Sequence, residues 1–208
     1  MMINCAVQIA DHLSKAIAER GSASLVVSGG SSPVPTFVSL ASMPIDWAHV
    51  IITLVDDRDV PADHADSNDL LIHTHLLQGH AAQAHYVSLA REPETVEHLA
   101  HPFDVMLLGM GIDGHFASLF PDMITIATAF DTDAAPAIIR TGIKGSPAHP
   151  RISMNLAMIL KSRHIMLLIH GDAKRAVLAD ALHNRNLPVA ALLHQTITQI
   201  DIITDQPS

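Results

Sequence analysis

The chain alternates short, almost wholly apolar runs with polar segments rich in glycine, proline and aspartate. Ser24-Leu-Val-Val-Ser28, His49-Val-Ile-Ile-Thr-Leu-Val55, Val105-Met-Leu-Leu108 and His164-Ile-Met-Leu-Leu-Ile169 are the strongest runs. Runs this short and this continuous predict strands of a parallel sheet covered on both faces. Between them the spacing shifts to the helical period. Ile9, Leu13, Ala16 and Ile17 mark a helix over residues 5–20, stopped by Gly21. Ser32 offers a cap and Pro33 a first turn for a helix to about Ala41 that buries Phe37, Leu40 and Ala41. A third helix starts at Ser67 and runs through Leu77, with Leu70, Leu71, Leu76 and Leu77 on its apolar side.

Weaker patterns fill the rest. His85 to Leu89 reads as a short strand, and Pro93 opens a helix to about Ala100. Helical propensity after His115 is brief and ends at Pro121. Ala137 to Thr141 is a strand, Lys144 to Arg151 a proline-rich loop, and Ile152 to Leu160 a strand end entering a helix near Asn155. Asp172 caps a helix to about His183, Pro188 begins a short helical piece, and Gln199 to Thr204 closes as a strand. Strand, polar loop and helix in repeated order predict an α/β fold with a largely parallel sheet, as one domain over residues 1–208.

Composition narrows the function. A chain 49% hydrophobic and only 16% charged is built to pack a core, and with few aromatics that core is aliphatic. A formal charge of −9 disfavours nucleic acid and anionic membrane as partners, while leaving room for a small anion held by local Arg and Lys. One cysteine, Cys5, allows no disulfide within the chain. With no long apolar span and no basic region followed by an apolar core at the N-terminus, the expectation is a cytoplasmic protein. Fifteen histidines raise the question of metal, but His73 with His75, or His98 with His101, form no recognised zinc spacing, so no metal is expected.

The chemistry gathers at strand ends. Asp104-Val-Met-Leu-Leu-Gly-Met-Gly-Ile-Asp-Gly-His115 runs from a strand into a glycine-built turn that carries Asp113 and His115 at its mouth. Ser28-Gly-Gly-Ser-Ser-Pro33 places free N–H groups, hydroxyls and a helix start together, which is an anion cradle or a plain strand-to-helix turn. Asp56-Asp-Arg-Asp-Val-Pro61 follows a buried strand, and Gly171-Asp-Ala-Lys174 follows another. In an open parallel sheet, ligands bind beyond the carboxyl ends of the strands, so all four loops fall on one edge. Gly109-x-Gly111-x-x-Gly114 also matches a dinucleotide-binding pattern. The stretch from Gly114 to Pro121, however, is too short for the crossover helix which that pattern needs. No NTPase phosphate loop and no Gly-x-Ser-x-Gly elbow occurs.

Taken in order, Ser28-Gly-Gly-Ser-Ser-Pro33, Asp56-Asp-Arg-Asp-Val-Pro61 with Ser67-Asn68, Leu108-Gly-Met-Gly-Ile-Asp-Gly-His-Phe-Ala-Ser-Leu-Phe-Pro121, Pro150-Arg-Ile-Ser153 and Gly171-Asp-Ala-Lys174 resemble the 6-phosphogluconolactonase family, kin to glucosamine-6-phosphate isomerases and deaminases. The resemblance implies a three-layer, modified Rossmann-like fold with helices on both faces of the sheet. Three departures stand out: Asp57 where the family usually has Glu, Phe116 where it usually has Thr, and no strand before the first helix. The deaminase branch differs more, with an aromatic residue in place of Arg58 and Asn-Glu-Pro in place of the Ser118-to-Pro121 stretch.

The implied activity is hydrolysis of 6-phospho-D-glucono-1,5-lactone in the oxidative pentose phosphate branch, without cofactor, by a monomer or weak homodimer. The resemblance and the chemistry together assign Gly29, Gly30 and Ser31, with Arg151 and Lys174, to the phosphate. They assign His115 as general base and Arg58 to the oxyanion. Asp56 and Asp113 orient these groups or hold sugar hydroxyls, and for Asp113 the bare reading as a turn former stands beside this one. A deaminase-like enzyme, or a sugar-phosphate sensor without catalysis, remains the alternative.

Overall fold

The computed structural model describes residues 2–204, with side chains from residue 5; residues 1 and 205–208 of the expected domain lie outside it. The apolar runs become strands β1 (Ala23–Val27), β2 (Val50–Leu54), β4 (His85–Val87), β5 (Phe103–Gly109), β8 (Ser162–Ile169) and β9 (Ile200–Thr204). They form one sheet in the order β4-β2-β1-β5-β8-β9, and every pairing in it is parallel. The residues of β5 from Phe103 to Leu108 are all buried, which is why the run shows no alternation. Helix α1 (Met2–Arg20) packs on β1, β5 and α2 (Val34–Ala41), and seats Ile9, Leu13 and Ala16 in the core, as the spacing predicts. Cys5 is buried there, its thiol pushed up to about 11 by burial, as suits a packing residue.

The sequence reading missed a second sheet. Asp56–Arg58 is not a loop but a three-residue strand, β3, joined to β2 by Val55 alone. It pairs antiparallel with β7 (His149–Met154), which pairs antiparallel with β6 (Ile138–Lys144). The stretch expected to be a proline-rich loop is the hairpin between β6 and β7, closed at Lys144 and His149. Asn155 does begin the next helix, α6 (Leu156–Ile159): its side chain accepts the Met158 N–H at 2.9 Å.

Four details of the helices also differ. Pro33, not Ser32, takes the cap position of α2, and no side chain caps it. Gly171, at φ +83°, takes that position for α7 (Asp172–Ala181), and Asp172 is its first residue, paired with Arg175. Helix α3 (Asn68–His75) buries Asn68, Asp69 and Ile72, whereas Leu70 is exposed. Its polar first turn faces inward because it is held by β3. Pro93 opens a shorter helix than expected, α4 (Pro93–Glu97); α5 (Ala127–Phe130) and α8 (Pro188–Leu193) complete the set. Among the described residues no helix is long and apolar enough to cross a membrane.

Candidate active site

The chain runs outward from β1 through β2 to β4, then returns to place β5 on the other side of β1. The crevice at such a reversal is where a parallel sheet binds ligands. Here it is pinned shut at its base: Ser28 N–H donates to Leu107 O at 2.9 Å, and Gly109 N–H to Ser28 Oγ at 3.3 Å. Above it opens a cleft of about 240 Å³, lined by the 28–32 turn, Asp56, Arg58, Asn68, the Gly109–Gly111 turn, His115, Ala117, Arg151 and Lys174. Eight of the nine residues singled out from the sequence meet there. The ninth, Asp113, stands behind His115.

Alternation along β3 sorts its three polar residues. Asp56 and Arg58 face the cleft, and Asp57 points the other way. Asp57 is almost wholly buried and accepts N–H groups from Arg58 (2.7 Å), Asn68 (2.6 Å) and Asp69 (3.2 Å), with the Ser67 hydroxyl at 3.3 Å. Ser67 occupies the cap position of α3 without capping it; the carboxylate that does so comes from β3. Burial pushes Asp57 up to about 6 despite these donors, which oppose the shift.

Asn68 joins the cleft lining as a residue to which the sequence alone assigns no role. Its Oδ1 accepts from Arg58 Nη1 and its Nδ2 donates to Asp56 O at 2.9 Å. It also explains Gly29, where a Cβ would lie 1.8 Å from Asn68 Oδ1. Asp56 is held in turn by the Ser118 hydroxyl at 2.6 Å. That contact depends on Ala117, which turns the chain at φ +49°, a conformation that costs a residue bearing a Cβ.

His115 is fixed on three sides. Nδ1 lies 2.5 Å from Asp113 Oδ1, the ring stacks on Phe120 at 4.6 Å between centroids, and it lies over Gly111. A Cβ on Gly111 would come within 2.2 Å of the imidazole, so glycine is required there by the ring. Asp113 accepts the His115 N–H too, at 3.2 Å, so it both forms the turn and orients the imidazole. The hydrogen bond to His115 holds its carboxyl below the usual range. Beyond His115 the chain bridges Phe116 to Leu119 and makes a single 3₁₀ turn, with no crossover helix of the kind a dinucleotide loop feeds. Phe116, one of the departures, is fully buried and set edge-on to Phe130.

Opposite stand three cations. β3 and β7 place Arg58 and Arg151 in direct register, an arrangement that is unfavourable for two like charges. Arg151 is 6% exposed, tied to Lys144 O and Pro147 O and set over the Phe120 ring. Burial, then the charge of Arg58, weakens its hold on its proton. Lys174, at the start of α7, donates to Ser32 Oγ at 3.4 Å and is likewise lowered by burial. Ser32 therefore serves the lysine rather than capping α2. Two guanidiniums, an ammonium and the Gly29-Gly30-Ser31 backbone make a strong receptor for a dianion.

The chain is similar to known proteins over most of its length. A 6-phosphogluconolactonase of Pseudomonas putida is 39% identical over 202 residues, which is 91% of this chain and 83% of that protein. One from Pseudomonas aeruginosa is 38% identical over 207 residues, covering 93% and 87%. The crystal structure of a 6-phosphogluconolactonase from Shewanella baltica superposes with a TM-score of 0.89 at 36% identity, covering 98% of this chain and 92% of that one. The family model for glucosamine-6-phosphate isomerases/6-phosphogluconolactonase matches residues 1–200, nearly the whole sequence, and the chain belongs to that family.

Proposed function

We propose that the protein is a 6-phosphogluconolactonase, an ester hydrolase that opens 6-phospho-D-glucono-1,5-lactone to 6-phosphogluconate in the oxidative branch of the pentose phosphate pathway. The observation that carries this reading is the convergence of an Asp113-supported imidazole with Arg58, Arg151 and Lys174 in one cleft. The phosphate is anchored by the Gly29-Gly30-Ser31 turn, Arg151 and Lys174. Arg contacts it through two donors, and Lys acts as a point charge.

The lactone carbonyl then lies toward Arg58 and His115. With Nδ1 committed to Asp113, the free ring nitrogen of His115 takes a proton from water, and the water oxygen bonds to the lactone carbon. Negative charge moves onto the carbonyl oxygen, where Arg58 stabilises it. Collapse breaks the bond to the ring oxygen, which receives the proton from His115. Asp113 stabilises the imidazolium between these steps. Asp56, fixed by Ser118, and Asn68 hold Arg58 and the sugar hydroxyls.

An isomerase or deaminase reading fits less well, because Arg58 stands where ring opening and proton shuttling on an amino sugar call for other groups. The deciding experiment offers the protein both substrates. We expect lactone hydrolysis well above the spontaneous rate, and no ammonia from glucosamine 6-phosphate. Ammonia release without lactonase activity would replace the proposal, and tight binding with neither activity would make the protein a sensor.

A further inference from the structure

The segment from Asp59 to Ser67 leaves β3 immediately after Arg58, crosses the start of β7 and ends at Asn68. Its first residue is tied to β7, Asp59 N–H donating to Pro150 O at 2.8 Å. At its far end His64, Asp66 and His149 come together. His149 Nε2 lies 2.8 Å from Asp66 Oδ2, and His64 Nδ1 lies 3.8 Å from the same oxygen. The two imidazoles meet edge-on, 5.5 Å between centroids. None of the three lines the cleft.

We propose that His64, Asp66 and His149 form a binding site for a divalent cation of the zinc class, stapling the 59–67 segment to β7. One donor atom from each residue falls within 4.8 Å of the other two. Around a tetrahedral zinc ion, ligand atoms at bond lengths of about 2.1 Å stand roughly 3.4 Å apart. The present separations of 2.8 and 3.8 Å bracket that value, so small side-chain shifts suffice. His64 Nδ1 now accepts the Asp66 N–H at 3.1 Å, a hydrogen bond that the ion displaces when it takes the nitrogen's lone pair. Two imidazoles and one carboxylate suit Zn²⁺, Co²⁺ or Ni²⁺ rather than Mg²⁺ or Ca²⁺, which prefer all-oxygen shells. His64 is 42% exposed, leaving solvent room for a fourth ligand.

Sequence spacing conceals this site because His149 lies 83 residues beyond Asp66. On β7, His149 is two residues before Arg151, hence on the same face and one step further from the cleft. The cation would fasten the segment whose two ends hold Arg58 and its partner Asn68, without contributing a ligand to the reaction.

Titration of the chelator-treated full chain with Co²⁺, followed by visible ligand-field absorption, tests the proposal. We expect one ion per chain with the intense bands of a low-coordinate site, displaced by Zn²⁺. His64→Ala and His149→Gln should each weaken binding by an order of magnitude or more, while metal-free lactone hydrolysis by His64→Ala is unchanged. Zn²⁺ should raise the melting midpoint of the wild type more than that of His64→Ala. Only weak, six-coordinate-type absorption in the wild type would overturn the assignment, leaving a histidine–aspartate ion pair. Binding that survives His149→Gln and disappears in His115→Ala would overturn it equally, by placing the ion in the cleft.

Discussion

Each charged residue of the cleft has one group committed to the protein and another left for a ligand. His115 gives Nδ1 to Asp113, and Arg58 gives Nη1 to Asn68. Arg151 gives Nε and Nη2 to the carbonyls of the β6–β7 hairpin. This division separates their expected effects. Asp113→Asn should lower kcat by an order of magnitude or more with little change in KM, because the base loses its orienting carboxylate and not its substrate. Lys174→Ala or Arg151→Ala should chiefly raise KM. A hydrogen bond to a charged group is worth roughly 1.5–3 kcal/mol, or about ten- to a hundredfold in substrate capture. Steady-state kinetics on the three variants separates the roles. These residues were legible in the sequence because glycines, a histidine and basic residues at strand ends have few structural uses. Asn68 was not, since an Asn at a helix start reads as ordinary capping chemistry.

The second sheet does at the level of elements what the loops were expected to do alone. A strand of three polar residues has no hydrophobic alternation to betray it, and β6 is largely solvent-facing, so neither carries a strong pattern. The inner strands of the main sheet, β2, β1, β5 and β8, were by contrast the most readable, because burial on both faces writes itself as continuous apolar runs. The cost of missing β3 is the role of Asp57, which joins the two sheets' chemistry to α3. Asp57→Ala should remove about 0.5–2 kcal/mol for the lost cap, and should loosen Arg58 through Asn68. The native state holds the Asp57 proton more tightly, at about 6, than the unfolded chain does at about 4. Its contribution therefore makes stability fall as pH rises through that window, by at most about 3 kcal/mol at 1.36 kcal/mol per pKa unit. Denaturant unfolding at several pH values should show that slope in the wild type and its loss in Asp57→Asn.

Across the whole molecule the two edges of the parallel sheet have separate duties. The carboxyl edge collects the polar, strained and crowded groups. The amino edge is tied by Asp104, which accepts Ser24 N–H at 2.9 Å and Arg20 Nη2 at 2.8 Å, with Arg163 at 3.4 Å, so that α1, β1, β5 and β8 meet at one carboxylate. Asp104→Asn should destabilise the protein by roughly 1.5–3 kcal/mol while kcat and KM of the folded enzyme stay as they are. Loss of activity without loss of stability would show the edges to be coupled. The expectation that polar loops far apart in sequence reach one rim rests on parallel topology, which the strand pattern conveyed; the path of the chain through the second sheet did not follow from it.

The central claim is that His115 activates the water. Lactone hydrolysis by wild type and by folded His115→Ala, each corrected for the spontaneous reaction, tests it directly. The account predicts a fall in kcat of roughly 10²–10⁴, the span typical of a general base, with phosphate-dependent binding retained. A folded His115→Ala protein that turns over at the wild-type rate would contradict it.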